Sequence, residues 1–126
     1  MFFNIILSKL ILEVEIVDII DMSDSSLEEL RGKINDNEKL VLIDFYAFWC
    51  EPCIMLNPIV ARIADEYKDN VEVYKVDVDK NPDVADKYNI TNIPTLVVQK
   101  QDEIKENIIG YRSYEDLQKT LKDSIE

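Results

Sequence analysis

The sequence predicts an α/β fold in which a central mixed sheet of about five strands is flanked by about four helices, behind an apolar extension. Two observations carry this. Apolar runs of strand length and segments of helical periodicity follow one another in the order strand, helix, strand, helix, strand, helix, strand, strand, helix. The last two strands are separated only by Gln101-Asp102-Glu103 and read as an antiparallel hairpin, so the sheet is mixed. With 126 residues and no repeats, Gly/Ser linkers or low-complexity tracts, the chain reads as one domain, residues 14–126, behind an extension of residues 1–13.

Met1–Leu12 is the most apolar stretch, interrupted by Asn4, Ser8 and Lys9. It is shorter than the roughly 20 apolar residues a membrane-spanning helix needs, so no stable membrane insertion is expected. A secretory signal would want a basic start and a small-residue cleavage site, and neither is clear. Three readings stay open: a strand or helical turn covering one edge of the domain, a dimer contact or weak membrane attachment, and a remnant of targeting.

Val14–Met22 alternates in its first half and reads as the first strand. A helix then opens with Ser26 and Glu29 at capping-box spacing and buries Leu27, Leu30 and Ile34. The Asp36-Asn37-Glu38 turn leads to the central strand, Lys39–Phe45. Leu56, Ile59, Val60, Ile63, Ala64 and Tyr67 repeat at helical spacing, which predicts a helix over Pro52–Lys68, kinked at Pro58. Val71–Val78 is the cleanest alternating strand. Asn81-Pro82-Asp83 caps a short helix through Tyr88, and Asn89 stands where a left-handed turn would end it. Leu96–Lys100 and Ile104–Tyr111 form the hairpin; Ser113 caps the last helix, with Leu117, Leu121 and Ile125 as its buried face.

The balance of 14 basic to 26 acidic residues gives a net charge of −12, which argues against nucleic acid and anionic membrane as partners. There is no histidine, which removes Ser–His and Cys–His catalysis and most zinc sites, and no metal is expected.

The chemistry is concentrated in Trp49-Cys50-Glu51-Pro52-Cys53, which holds both cysteines of the chain. A helix beginning just after Cys50 would set the first thiol over unpaired backbone N–H groups and the positive end of the dipole, with Cys53 one turn in on the same side. That arrangement suits dithiol–disulfide exchange. Cys50, exposed and with its pKa lowered, attacks a substrate disulfide as thiolate; Cys53, more enclosed, attacks Cys50 and releases the reduced substrate. Pro52 suits a first helical turn, while Glu51 places a carboxylate beside the nucleophile with a small effect if solvated. Asp44 is an acid inside an apolar strand. It is either a general base that takes the Cys53 proton through water, or a surface acid on an edge strand.

The chain resembles the thioredoxin family over roughly residues 14–125. The likeness rests on the Cys-x-x-Cys motif together with Asp44-Phe45-Tyr46-Ala47 before it, Pro58 after it, Lys75, Ile93-Pro94-Thr95 and Gly110. Four positions depart from the family pattern: Glu51 and Asn92 stand where Gly is usual, Tyr46 where Trp is usual, and Asp102 where the hairpin usually has Gly. The resemblance implies a buried Asp44 acting in proton transfer, Lys75 beside it on the neighbouring strand modulating its ionisation, and a cis Ile93–Pro94 bond. It also implies a docking surface for substrate made of Trp49, Glu51, Pro52, Asn92, Ile93, Pro94 and Gly110. For Lys75 the alternative is a surface lysine on a polar strand face. The implied activity is cytoplasmic protein-disulfide reduction by the Cys50–Cys53 redox disulfide, with no bound cofactor. The partners would be disulfide-containing proteins and a separate thioredoxin reductase, and the protein a monomer or weak dimer. A disulfide oxidase or isomerase of the same fold, and a non-catalytic adaptor, are the other readings.

Overall fold

The computed structural model describes residues 19–21 and 27–125. In chain order the elements are β1 (Ile19–Asp21), α1 (Leu27–Asn35), β2 (Leu40–Tyr46), α2 (Glu51–Glu66), β3 (Val71–Asp77), α3 (Pro82–Lys87), β4 (Thr95–Lys100), β5 (Glu103–Ile109) and α4 (Tyr114–Ile125). The five strands form one sheet in the order β1-β3-β2-β4-β5. β1, β3 and β2 run parallel, β4 is antiparallel to β2, and β5 is antiparallel to β4. The sheet is therefore mixed, as the chain pattern predicts. The extension of residues 1–13, the first part of the expected Val14–Met22 strand and the Ser26 cap lie outside the described residues.

Alternation along the strands sorts the core onto two faces. Leu40 and Leu42 of β2, Val71 and Val73 of β3, and Leu96 and Val98 of β4 meet Leu56, Val60 and Ile63 of α2 and Leu117 and Leu121 of α4. Val41, Ile43 and Phe45, with Tyr74, Val76 and Val97, meet Leu30 and Ile34 of α1 and Val84 of α3. Covering both faces explains why β2 is buried from Leu40 through Phe45. It also explains why β3, read as a strand alternating between core and polar faces, buries five of its seven residues. Among the strands whose burial is described, β5 alone stays open, with Ile108 as its one buried residue.

The structure corrects several local expectations. α2 runs from Glu51 to Glu66 rather than from Pro52 to Lys68, with Pro58 inside it and Tyr67 as its C-cap. Asn81 precedes α3, but its buried amide bonds back to the Asp77 carbonyl at 3.1 Å rather than capping the helix. Ile125, placed on the buried face of the last helix, is 38 % exposed at the last residue of α4. In the hairpin, β5 begins at Glu103 rather than Ile104, and Gln101 is left-handed at φ 50°. Asn89 is left-handed at φ 55°, and Ser113 Oγ accepts the Asp116 N–H at 3.2 Å.

Candidate active site

β2 delivers the chain to α2 through a tight turn in which the Cys50 N–H donates to the Ala47 carbonyl at 3.1 Å. Cys50 is the N-cap of α2 in extended conformation, and its sulfur accepts the Cys53 backbone N–H at 3.3 Å. The helix N-terminus thus aims a free amide and its partial positive charge at this sulfur, which favours a thiolate there. Pro52 occupies the first turn, where its missing N–H costs nothing. Cys50 and Cys53 form a disulfide with their Cα atoms 5.2 Å apart.

The expectation of an exposed Cys50 and an enclosed Cys53 is too strong. Both are buried, at 5 % and 2 % exposure, in a small cluster with Ala47, against which Tyr46, Val78 and Ile93 pack. The difference keeps its sign but is small. Glu51 and Pro52 are exposed. Trp49 is 63 % exposed, with its indole N–H donating to Asp79 Oδ2 at 2.7 Å. Phe48, Ile54 and Met55 are also exposed, so the motif sits in a surface more apolar than its five residues suggest.

The Ile93–Pro94 peptide is cis, and Ile93 reaches the cysteine cluster from the segment before β4. Gly110 adopts φ 89°, a region open to glycine, and its N–H donates to the Pro94 carbonyl at 2.8 Å, tying the end of β5 to this segment. The Asn92 carbonyl accepts the Thr95 hydroxyl at 2.6 Å, while its side chain stays exposed.

Asp44 lies on the face of β2 that α2 covers, in the same alternation as Leu40 and Leu42. It is 1 % exposed, and neither carboxyl oxygen has a hydrogen-bond partner among the described residues. It is not an edge-strand acid. Burial pushes its carboxyl up from the ordinary 3.8 to about 6, with the charge of Lys75 pulling the other way. Lys75 is the register partner of Asp44 in β3. Its ammonium donates to Asn57 Oδ1 on α2 at 2.8 Å and lies 4.4 Å from the centre of the Tyr46 ring. Asn57 was not among the expected site residues. The available signal was its place one turn beyond Cys53, four residues on, a polar side chain next to the apolar stripe of α2.

The comparisons agree with this geometry. The family model described as Thioredoxin matches residues 21–123. A thioredoxin of Listeria monocytogenes is 37 % identical over 101 residues, covering 80 % of this chain and 93 % of that protein. The chloroplastic M-type thioredoxin of Spinacia oleracea is 41 % identical over 106 residues, covering 84 % of this chain and 55 % of its own length. A solved structure from work on the thiol-resolving mechanism in yeast mitochondrial 1-Cys peroxiredoxin via glutathione/thioredoxin systems superposes with a TM-score of 0.74 at 36 % identity. It covers 83 % of this chain and 94 % of the other. The Cys50–Cys53 pair is a redox disulfide, and the chemistry it performs is dithiol–disulfide exchange that reduces protein disulfides. By the reach of the family model and the identity shared along most of its length, the chain belongs to the thioredoxin family.

Proposed function

We propose that Cys50 is the attacking sulfur and Cys53 the resolving one in a cytoplasmic protein-disulfide reductase. The observation that carries this assignment is the position of Cys50 as N-cap of α2, its sulfur facing the helix amides, with Cys53 one turn inside. In the reduced protein the Cys50 thiolate attacks one sulfur of a substrate disulfide. A mixed disulfide forms and the other substrate sulfur leaves as thiolate. Cys53 then loses its proton to the Asp44 carboxylate, with water as carrier, and attacks Cys50. The Cys50–Cys53 bond forms, the second substrate thiol leaves, and two electrons have passed to the substrate. Lys75 modulates the ionisation of Asp44 from the neighbouring strand.

The substrate lies across Trp49, Glu51, Pro52, Asn92, Ile93, Pro94 and Gly110. Pairing of β4 with its neighbours begins at Thr95, so the Ile93 backbone stands ahead of the ladder and is placed to bond an extended substrate segment. The oxidised pair is returned to the dithiol by a separate thioredoxin reductase. The protein works as a monomer or weak dimer. Among the described residues no helix is long and apolar enough to cross a membrane.

Trapping tests the assignment. With a disulfide-bonded substrate protein, Cys53→Ser accumulates a covalent mixed disulfide through Cys50, and Cys50→Ser accumulates none. The reverse pattern would overturn the order of attack. A Cys50–Cys53 midpoint potential below that of the glutathione pool supports reduction as the physiological direction, and one at or above it moves the reading to an oxidase or isomerase.

A further inference from the structure

Lys75 and Asp44 are paired in register on adjacent strands and face the same helix, yet their charged groups do not bond. The Lys75 ammonium is taken instead by Asn57 Oδ1 at 2.8 Å, with the Tyr46 ring 4.4 Å away supplying the attraction of an aromatic face for a cation. Asn57 is half-buried on α2, four residues beyond Cys53, so one helix carries both the resolving sulfur and the acceptor that holds the lysine. We propose that Asn57 is a positioning residue for the resolving step: it holds the Lys75 ammonium off the Asp44 carboxyl, leaving that carboxyl free to accept the Cys53 proton. This rests on the reading of Asp44 as the proton acceptor.

The chemistry constrains the lysine from both sides. An ammonium bonded directly to a buried carboxylate holds it ionised far into acid and makes it a weak base toward a thiol. A buried carboxyl with no cation near it stays protonated at neutral pH and accepts nothing. A cation held at a distance by a third group leaves the carboxyl between these limits, in keeping with its value of about 6. Among the described residues the charge that acts on Asp44 is that of Lys75, its register partner on β3. Tyr46 lies two residues along on β2 itself, β4 pairs Leu96, which carries no charge, and α2, which covers this face, carries Cys53 in its first turn. Glu51, at the start of α2, is exposed.

The experiment is a titration of the Asp44 carboxyl by carbon-13 NMR in the oxidised protein, on wild type, Asn57→Ala, Lys75→Met and the double variant. With its acceptor removed, Lys75 turns to Asp44, and the midpoint falls by about one unit, the lower end of what an adjacent cation does to a carboxyl. In the Lys75→Met background the Asn57→Ala substitution leaves the midpoint where Lys75→Met alone puts it. An unchanged or raised midpoint in Asn57→Ala, or an equal fall without Lys75, overturns the proposal. The parent reading is tested apart from it by the rate of mixed-disulfide resolution in Asp44→Asn. A rate equal to wild type removes Asp44 from the proton path and the proposal with it. A slowed rate together with an unmoved Asn57→Ala midpoint removes Asn57 alone.

Discussion

A carboxyl with no hydrogen-bond partner, in a strand covered on both faces, works against folding whenever it is ionised, and at Asp44 that cost can be followed with pH. Its folded value, about 6, lies above the ordinary 3.8, so the folded protein holds this proton more tightly than the unfolded chain. The resulting stabilisation is complete below the unfolded value and is lost as pH rises through the folded one. The gap between the two values corresponds to about 3 kcal/mol. Urea unfolding should show wild type losing about 3 kcal/mol relative to Asp44→Asn between about pH 3 and about pH 8. Parallel stability curves for the two proteins would refute it. The sequence alone left Asp44 open between a buried base and an edge-strand acid, because a lone acid in an apolar run does not say which strands flank it. The cysteine pair was legible from spacing alone. The Lys75–Asn57 bond was not, since it joins residues 18 apart whose meeting depends on how α2 lies over β3.

At the scale of the element, α2 is held to the sheet by the side that carries Cys53. Leu56, three residues on, is fully buried among Val60, Ile63, Val73 and Leu96. Truncating such a side chain loses its transfer energy and leaves a cavity. Leu56→Ala should therefore lower stability by about 3 kcal/mol, read as a shift of the denaturation midpoint at constant slope. A loss within about 0.5 kcal/mol, the scale of surface substitutions, would mean that α2 is not anchored there. Periodicity made this helix readable and placed Leu56, Val60, Ile63 and Ala64 correctly on its buried face. It was less reliable at the ends. Ile125 repeats in phase with Leu117 and Leu121, but phase does not say how far neighbours cover the last residue of a helix. Asn81 had the composition of a cap, and its amide was drawn instead to the Asp77 carbonyl.

For the whole molecule, the strand order β1-β3-β2-β4-β5 was not contained in any local pattern; the family resemblance supplied only the adjacency of β2 and β3, through Lys75 beside Asp44. The net charge of −12 acts at this scale too. An acidic protein attracts basic substrates over the screening length, about 8 Å at physiological salt. The second-order rate with a basic disulfide peptide should fall as salt is added, and the rate with an acidic peptide should rise; equal salt dependence for both would show that the charge is remote from the docking face. Trp49 adds a property of another kind. It is the sole tryptophan, it adjoins a disulfide that opens and closes with each cycle, and its indole is held by Asp79. A disulfide quenches indole emission and a dithiol does so less, and all the indole emission of this protein comes from the one ring beside the reacting bond. The protein carries its own optical gauge of oxidation, with no second tryptophan to dilute the signal.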